Sequence, residues 1–159
     1  METKEYVEYL LKNYNEILKD IEQLKFEYDT FKDIETDEVI ESLNFSSNSE
    51  ERIQTSSISD KTCKIALIYN EAAKRMNKES REEIYKMIRV TRIEISRLDY
   101  CIDRLEPQVK EVIIKMYQQK ENISNIVENL SIGERTVCRY KKKGIEDIIN
   151  MYELKRLVI

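Results

Sequence analysis

Apolar and aromatic side chains recur along the first third of the chain at Val7, Leu10, Tyr14, Ile17, Ile21, Leu24, Tyr28 and Phe31. The steps alternate between 3 and 4 residues without a miss, which is a heptad seam on a long helix. Thr36 is placed to cap a short helix running to Leu43, with Asp37 and Glu38 in its first turn. The serine-rich stretch from Asn44 to Ser59 has little to bury and reads as a linker. Asp60 then opens a helix whose apolar face would hold Cys63, Ile65, Ile68, Tyr69, Ala72 and Met76. A second seam, capped by Ser80, runs through Ile84, Ile88, Thr91, Ile95, Leu98, Ile102 and Leu105. The two seams predict either a hairpin within the chain or a dimer between chains.

Pro107 ends this pattern, because the residue before proline is pushed out of helical geometry, and proline suits the first position of a new helix. Three shorter apolar faces follow. Val109, Val112, Ile113 and Met116 make the first, and Ile123, Ile126, Val127 and Leu130 the second. Val137, Tyr140, Ile145, Ile148, Ile149 and Tyr152 make the third. Between the last two lies Ser131-Ile132-Gly133, the length of turn that a helix-turn-helix needs. Ile132 is an apolar plug between the helices, and Gly133 falls where the second helix starts.

The pattern divides the chain into an N-terminal heptad helix (1–35), a short helix and linker (36–59) and a helical region with the second seam (60–105). A helix-turn-helix unit (106–152) and a tail (153–159) complete it. Composition agrees with an all-α fold built from long heptad-patterned helices. Only 2 Gly and 1 Pro occur in 159 residues, and charged residues make up 36%. Helix breakers are therefore scarce and solvated helical surface is plentiful.

The net charge of −4 conceals an uneven distribution. Residues 1–51 hold 15 acidic and 5 basic side chains, whereas 104–143 hold 9 basic and 5 acidic. From Gly133 to Lys143 there are five basic residues and one acidic. A local excess of this kind is what a phosphate backbone responds to. There is no histidine, which removes the commonest general base and metal ligand. P-loops, glycine-rich turns and nucleophile elbows are absent too, so neither an enzyme nor a cofactor is expected. Cys63, Cys101 and Cys138 form no metal-binding pair and read as reduced, buried thiols of a cytoplasmic protein. No stretch is long and apolar enough to span a membrane.

The run LEPQVKEVIIKMYQQKENISNIVENLSIGERTVCRYKKKGIEDI resembles the region-4-like helix-turn-helix of bacterial sigma factors. The likeness rests on a proline-led helix ending in Tyr117, a short helix ending in Leu130, then a cap, Thr136-Val137 and a basic run. Upstream, DEVIESLNFS (37–46) and SISDKTCKIALIY (57–69) are similar to segments of the ArpU/RinA-type late transcriptional regulators of phages and prophages. The two likenesses together span roughly 36–150. Val127 stands where a small alanine is usual, Ser131 where glycine makes the turn, and Gly133 where serine caps, which together suggest a wider helix crossing.

The resemblance implies a transcriptional regulator of late phage genes acting in the bacterial cytoplasm, with host RNA polymerase as a partner. On the residues themselves, a helix starting at Gly133 presents Glu134, Arg135, Thr136 and Arg139 from its first turns to base edges in the major groove of double-stranded DNA. Lys141, Lys142, Lys143 and the preceding Lys120 are suited to phosphates. Val137 and Tyr140 turn inward. A DNA-packaging recognition subunit, a sigma factor and a helical protein-binding adaptor are the competing readings.

Overall fold

The computed structural model describes residues 2–39 and 58–154, with side chains described from residue 65 in the second stretch. Within it the chain is all-helical. In order come α1 (Thr3–Lys12), α2 (Tyr14–Thr30), α3 (Ile58–Asp103), α4 (Pro107–Ile113) with a π turn over Ile114–Gln118, α5 (Ile123–Leu130) and α6 (Glu134–Glu153). No described helix is long and apolar enough to cross a membrane. Two compact units are present, one formed by Met1–Gln23 with Ile88–Ile159 and one by Leu24–Met87.

In the first unit, Val7, Leu10, Leu11, Ile17 and Ile21 are buried together with Ile88, Ile95, Leu98, Ile102 and Leu105. Both seams therefore turn inward, and they meet within one chain. Tyr6 donates to a Glu94 carboxylate oxygen at 3.0 Å. Tyr14 donates to Asp99 at 2.9 Å. Burial raises the Asp99 carboxyl above its usual range despite that hydrogen bond, with nearby Asp103 adding to the rise. The same desolvation, reinforced by the acceptor carboxylates, pushes Tyr6 and Tyr14 up to about 12.

The N-terminal seam does not lie on one helix. At Asn13 the backbone leaves helical geometry (φ −101°, ψ 12°), and the Asn13 amide donates to the Tyr9 carbonyl at 2.9 Å. An asparagine side chain that satisfies a helix-end carbonyl competes with the next helical turn, and α1 stops there. Ile17 N–H then bonds to the Asn13 carbonyl to restart the ladder in α2.

The second seam is longer than expected. Ser80 does not cap a helix; it sits inside α3, a single helix of 46 residues. No glycine or proline interrupts this stretch, and Arg75–Glu79 and Lys78–Glu82 pairs at i,i+4 run through the expected junction. The helix already includes Ile58, so Asp60 does not open it. Ile65, Ile68 and Met76, expected on a buried face, are exposed, and Ala73 is buried instead. The Cys63 side chain and the linker between 40 and 57 lie outside the described residues.

The second unit joins the end of α2 to α3. Tyr28 and Tyr85 rings lie 6.2 Å apart, and the Arg81 guanidinium stands 5.0 Å over Phe31 while binding Asp33 at 2.9 Å. The Asn77 amide holds the chain after α2 by accepting from Ile34 N–H and donating to the Ile34 carbonyl. Residues 36–39 are helical, capped one residue earlier than expected: Glu35 N–H donates to Glu38 rather than Thr36 acting as the cap. The remainder of that short helix, to Leu43, is outside the described residues, as is the tail after Leu154.

Candidate nucleic-acid interface

Three local signals build the C-terminal elements. Pro107 occupies the first turn of α4. Asn122 caps α5, its side-chain oxygen accepting from Asn125 N–H at 2.8 Å. Gly133, in extended backbone, is the N-cap of α6, and its carbonyl accepts from Thr136 and Val137 N–H. Ser131 ends α5 in left-handed geometry (φ 51°, ψ 41°), a conformation that disfavours a residue with a Cβ.

Val112 from α4, Ile126 from α5 and Val137 from α6 form a fully buried cluster, and Ile132 and Tyr140 pack against it. The turn between α5 and α6 is thereby fixed by its own plug, as the sequence predicts. The Tyr140 hydroxyl reaches back to donate to Gln108 Oε1 at 2.6 Å. Ahead of α5, Glu121 takes the Lys115 ammonium at 3.4 Å and the Asn129 amide at 3.0 Å. Both ends of that ion pair are largely shielded from solvent, so it fixes the loop better than a surface pair would.

The expected site residues fall into two groups. Arg135, Arg139 and Lys142 are exposed, and their spacing of four and three sets them on one face of α6. Glu134 is exposed at the start of the same helix, and Thr136 is half-buried. Among the described residues, Arg135 has no hydrogen bond or ion pair, and Arg139 has only its own neighbour, with the guanidinium 5.4 Å from the Tyr140 ring. Lys142 lies 3.9 Å from Glu146 with both side chains well solvated, a contact worth little.

The other cations are engaged. Lys143 binds Glu106 at 2.7 Å, and that carboxylate holds the ammonium above its ordinary range. The Lys141 ammonium stands 6.0 Å from the Tyr117 ring. Lys120 adopts positive φ (56°) and donates to the Lys12 carbonyl at 2.6 Å. Asn15 similarly donates to the Gln118 carbonyl, so α1, α2 and the π turn are tied at the break after Lys12.

Sequence reading missed the acceptors Glu106, Gln108 and the Lys12 carbonyl, because each is chosen by the fold and not by spacing. It also expected Cys138 to be buried. Cys138 is exposed, since its position falls between Arg135 and Lys142 on the outward face, whereas Cys101 is buried as expected. Comparison with family models, curated proteins and solved structures gives no match to this chain.

Proposed function

We propose that the chain is a sequence-specific double-stranded DNA-binding protein that regulates transcription of phage or prophage genes, with α5, the turn and α6 acting as a helix-turn-helix. One observation carries the reading. Arg135, Arg139 and Lys142 share a solvated face at the start of α6, while Val137 and Tyr140 on the other side anchor that helix to α4 and α5. A helix so mounted can enter the major groove with its first turns on base edges and its backbone side held by the core.

In this arrangement Arg135 and Arg139 read bases, since a guanidinium can pair with both acceptors of guanine. Glu134 accepts from cytosine and the Thr136 methyl meets thymine. Lys142 lies farther along the helix, where phosphates would be reached. The similarity of 37–46 and 57–69 to late regulators supports the phage assignment, and it implies host RNA polymerase as a partner in the bacterial cytoplasm. No catalytic step or cofactor belongs to the reading.

The test is selection of bound duplexes from a random-sequence library, followed by affinity measurements on the winner across a salt series. An Arg135→Ala/Arg139→Ala chain is carried alongside. Convergence on one motif, binding that falls steeply with salt, and loss in the double variant are expected. Equal affinity of both chains for every duplex would overturn the assignment of α6 to the groove.

A further inference from the structure

The seam of α3 is not its only apolar stripe. Val90, Ile93, Arg97, Tyr100 and Arg104 follow one another in steps of 3, 4, 3 and 4, on the side of the helix away from buried Ile88, Ile95, Leu98 and Ile102. Apart from Arg97, this second stripe is open to solvent. Val90 is 53% exposed, Ile93 50% and Tyr100 56%, although β-branched and aromatic side chains at heptad spacing are the pattern that pairs helices.

Charge on this part of α3 is sorted. Its three carboxylates are all engaged, Glu94 by the Tyr6 hydroxyl, Asp99 by the Tyr14 hydroxyl and Asp103 by the Lys110 ammonium. Its arginines, Arg97 apart, are not. Among the described residues, Arg89, Arg92 and Arg104 carry no ion pair, and Arg104 only stands 4.5 Å from the Tyr100 ring. Beside the stripe, Met151 and Leu154 at the end of α6 close a groove of about 450 Å³ with Arg97 and Arg104 at its sides. Arg97 is held in place there, donating to the Tyr152 carbonyl at 3.1 Å and lying 3.9 Å from that ring.

We infer that the outer face of α3 between Val90 and Arg104 docks an acidic amphipathic helix of a partner protein. Apolar side chains of the partner at heptad spacing lie on Val90, Ile93 and Tyr100, one of them entering the groove beside Leu154. Its flanking carboxylates meet Arg89 and Arg104, which carry no ion pair among the described residues. A second copy aligned in parallel is a poorer occupant, because Arg97 and Arg104 would each face themselves. Nucleic acid is poorer still, since phosphates gain nothing from a row of half-exposed apolar side chains. The inference does not depend on α6 binding DNA.

The experiment uses the full chain and a fluorescent synthetic peptide of three heptads, with leucine at a and d and glutamate at e and g. Its partners are a scrambled peptide and one with lysine in place of glutamate. Anisotropy is expected to show salt-sensitive binding of the glutamate peptide alone, weakened about tenfold by Ile93→Glu and again by Arg104→Glu. Arg104→Glu is expected to improve binding of the lysine peptide by a similar factor, a reversal that a folding defect cannot produce. Circular dichroism melts of the variants check that the fold is kept. Equal binding of all three peptides, indifference to both substitutions, self-association abolished by Ile93→Glu, or duplex DNA binding lost on Arg104→Glu without peptide binding would each overturn it.

Discussion

Gly144 of α6 lies against Ile113 of α4 so closely that a Cβ added to the glycine would come within 2.7 Å of Ile113 Cγ1 and 3.0 Å of Val109 Cγ1. Both isoleucine and valine are buried. The helix that carries Arg135 and Arg139 is thus seated on α4 through a contact that permits no side chain.

Gly144→Ala is therefore expected to destabilise the fold. Overpacking of a filled core costs about 1–3 kcal/mol, against which the better helix propensity of alanine returns about 1 kcal/mol. A net loss of stability in urea unfolding, deepening in Gly144→Val, is the expected result. Alanine at wild-type stability would mean that Ile113 moves aside freely.

Ser131→Gly should act in the opposite direction. Left-handed backbone costs a residue with a Cβ roughly 1 kcal/mol, and glycine removes that strain while losing some of the gain to a more flexible unfolded chain. A rise of about 0.5–1 kcal/mol in unfolding free energy is expected. Asn122→Ala, which removes the α5 cap, should lower it by about 1 kcal/mol.

Alkaline pH should unfold the protein through its tyrosines. Tyr6 and Tyr14 titrate at about 12 in the fold, against about 10 in an unfolded chain. A hydroxyl whose folded value is raised contributes its full stability below pH 10 and loses it as pH climbs towards 12. Denaturant midpoints measured from pH 8 to 11.5 should fall above pH 10. The fall should be shallower in Tyr6→Phe and Tyr14→Phe, even though these start from lower stability for want of the Glu94 and Asp99 hydrogen bonds.

The cations of α6 should separate in DNA binding. Arg135→Ala is expected to cost about 1–3 kcal/mol and to relax preference at one base pair. Lys142→Ala should weaken all sequences alike and lower the salt slope by about one. Lys143→Ala should change the slope less, because Glu106 already compensates its charge. Equal slopes for the two lysine variants would show that the Glu106 pair opens on DNA.

The helices around Ser131 were legible because their boundary signals are local. Pro107 and Gly133 act within a few residues, and the apolar spacing from Ile123 to Leu130 marks α5, so spacing alone places α4, α5 and the start of α6. The Asn122 cap was found only in the structure. The all-α class followed from the scarcity of glycine and proline, and both seams were visible as period. Local signals misled at Ser80, where a good cap residue was overridden by a continuous run of helix formers. They also misled at Asn13, where a polar residue between the seam positions Leu10 and Tyr14 ends a helix by bonding back to Tyr9. Of the apolar face expected around Ile65 and Ile68, Ile65, Ile68 and Met76 are exposed, while Tyr69 and Ala72 are half-buried.

What the chain's order determined is the all-α class and, for the two seams and the three C-terminal helices, which side turns inward. Tertiary structure decided what those sides and charges meet. It paired the seams within one chain through Tyr6–Glu94 and Tyr14–Asp99. It also left Arg135, Arg139 and Lys142 available while committing Lys143 to Glu106 and Lys120 to the Lys12 carbonyl. The reason is range: a cap or a helical period acts over a few residues, whereas the acceptor for Lys120 is 108 residues away and is selected only when packing brings it near.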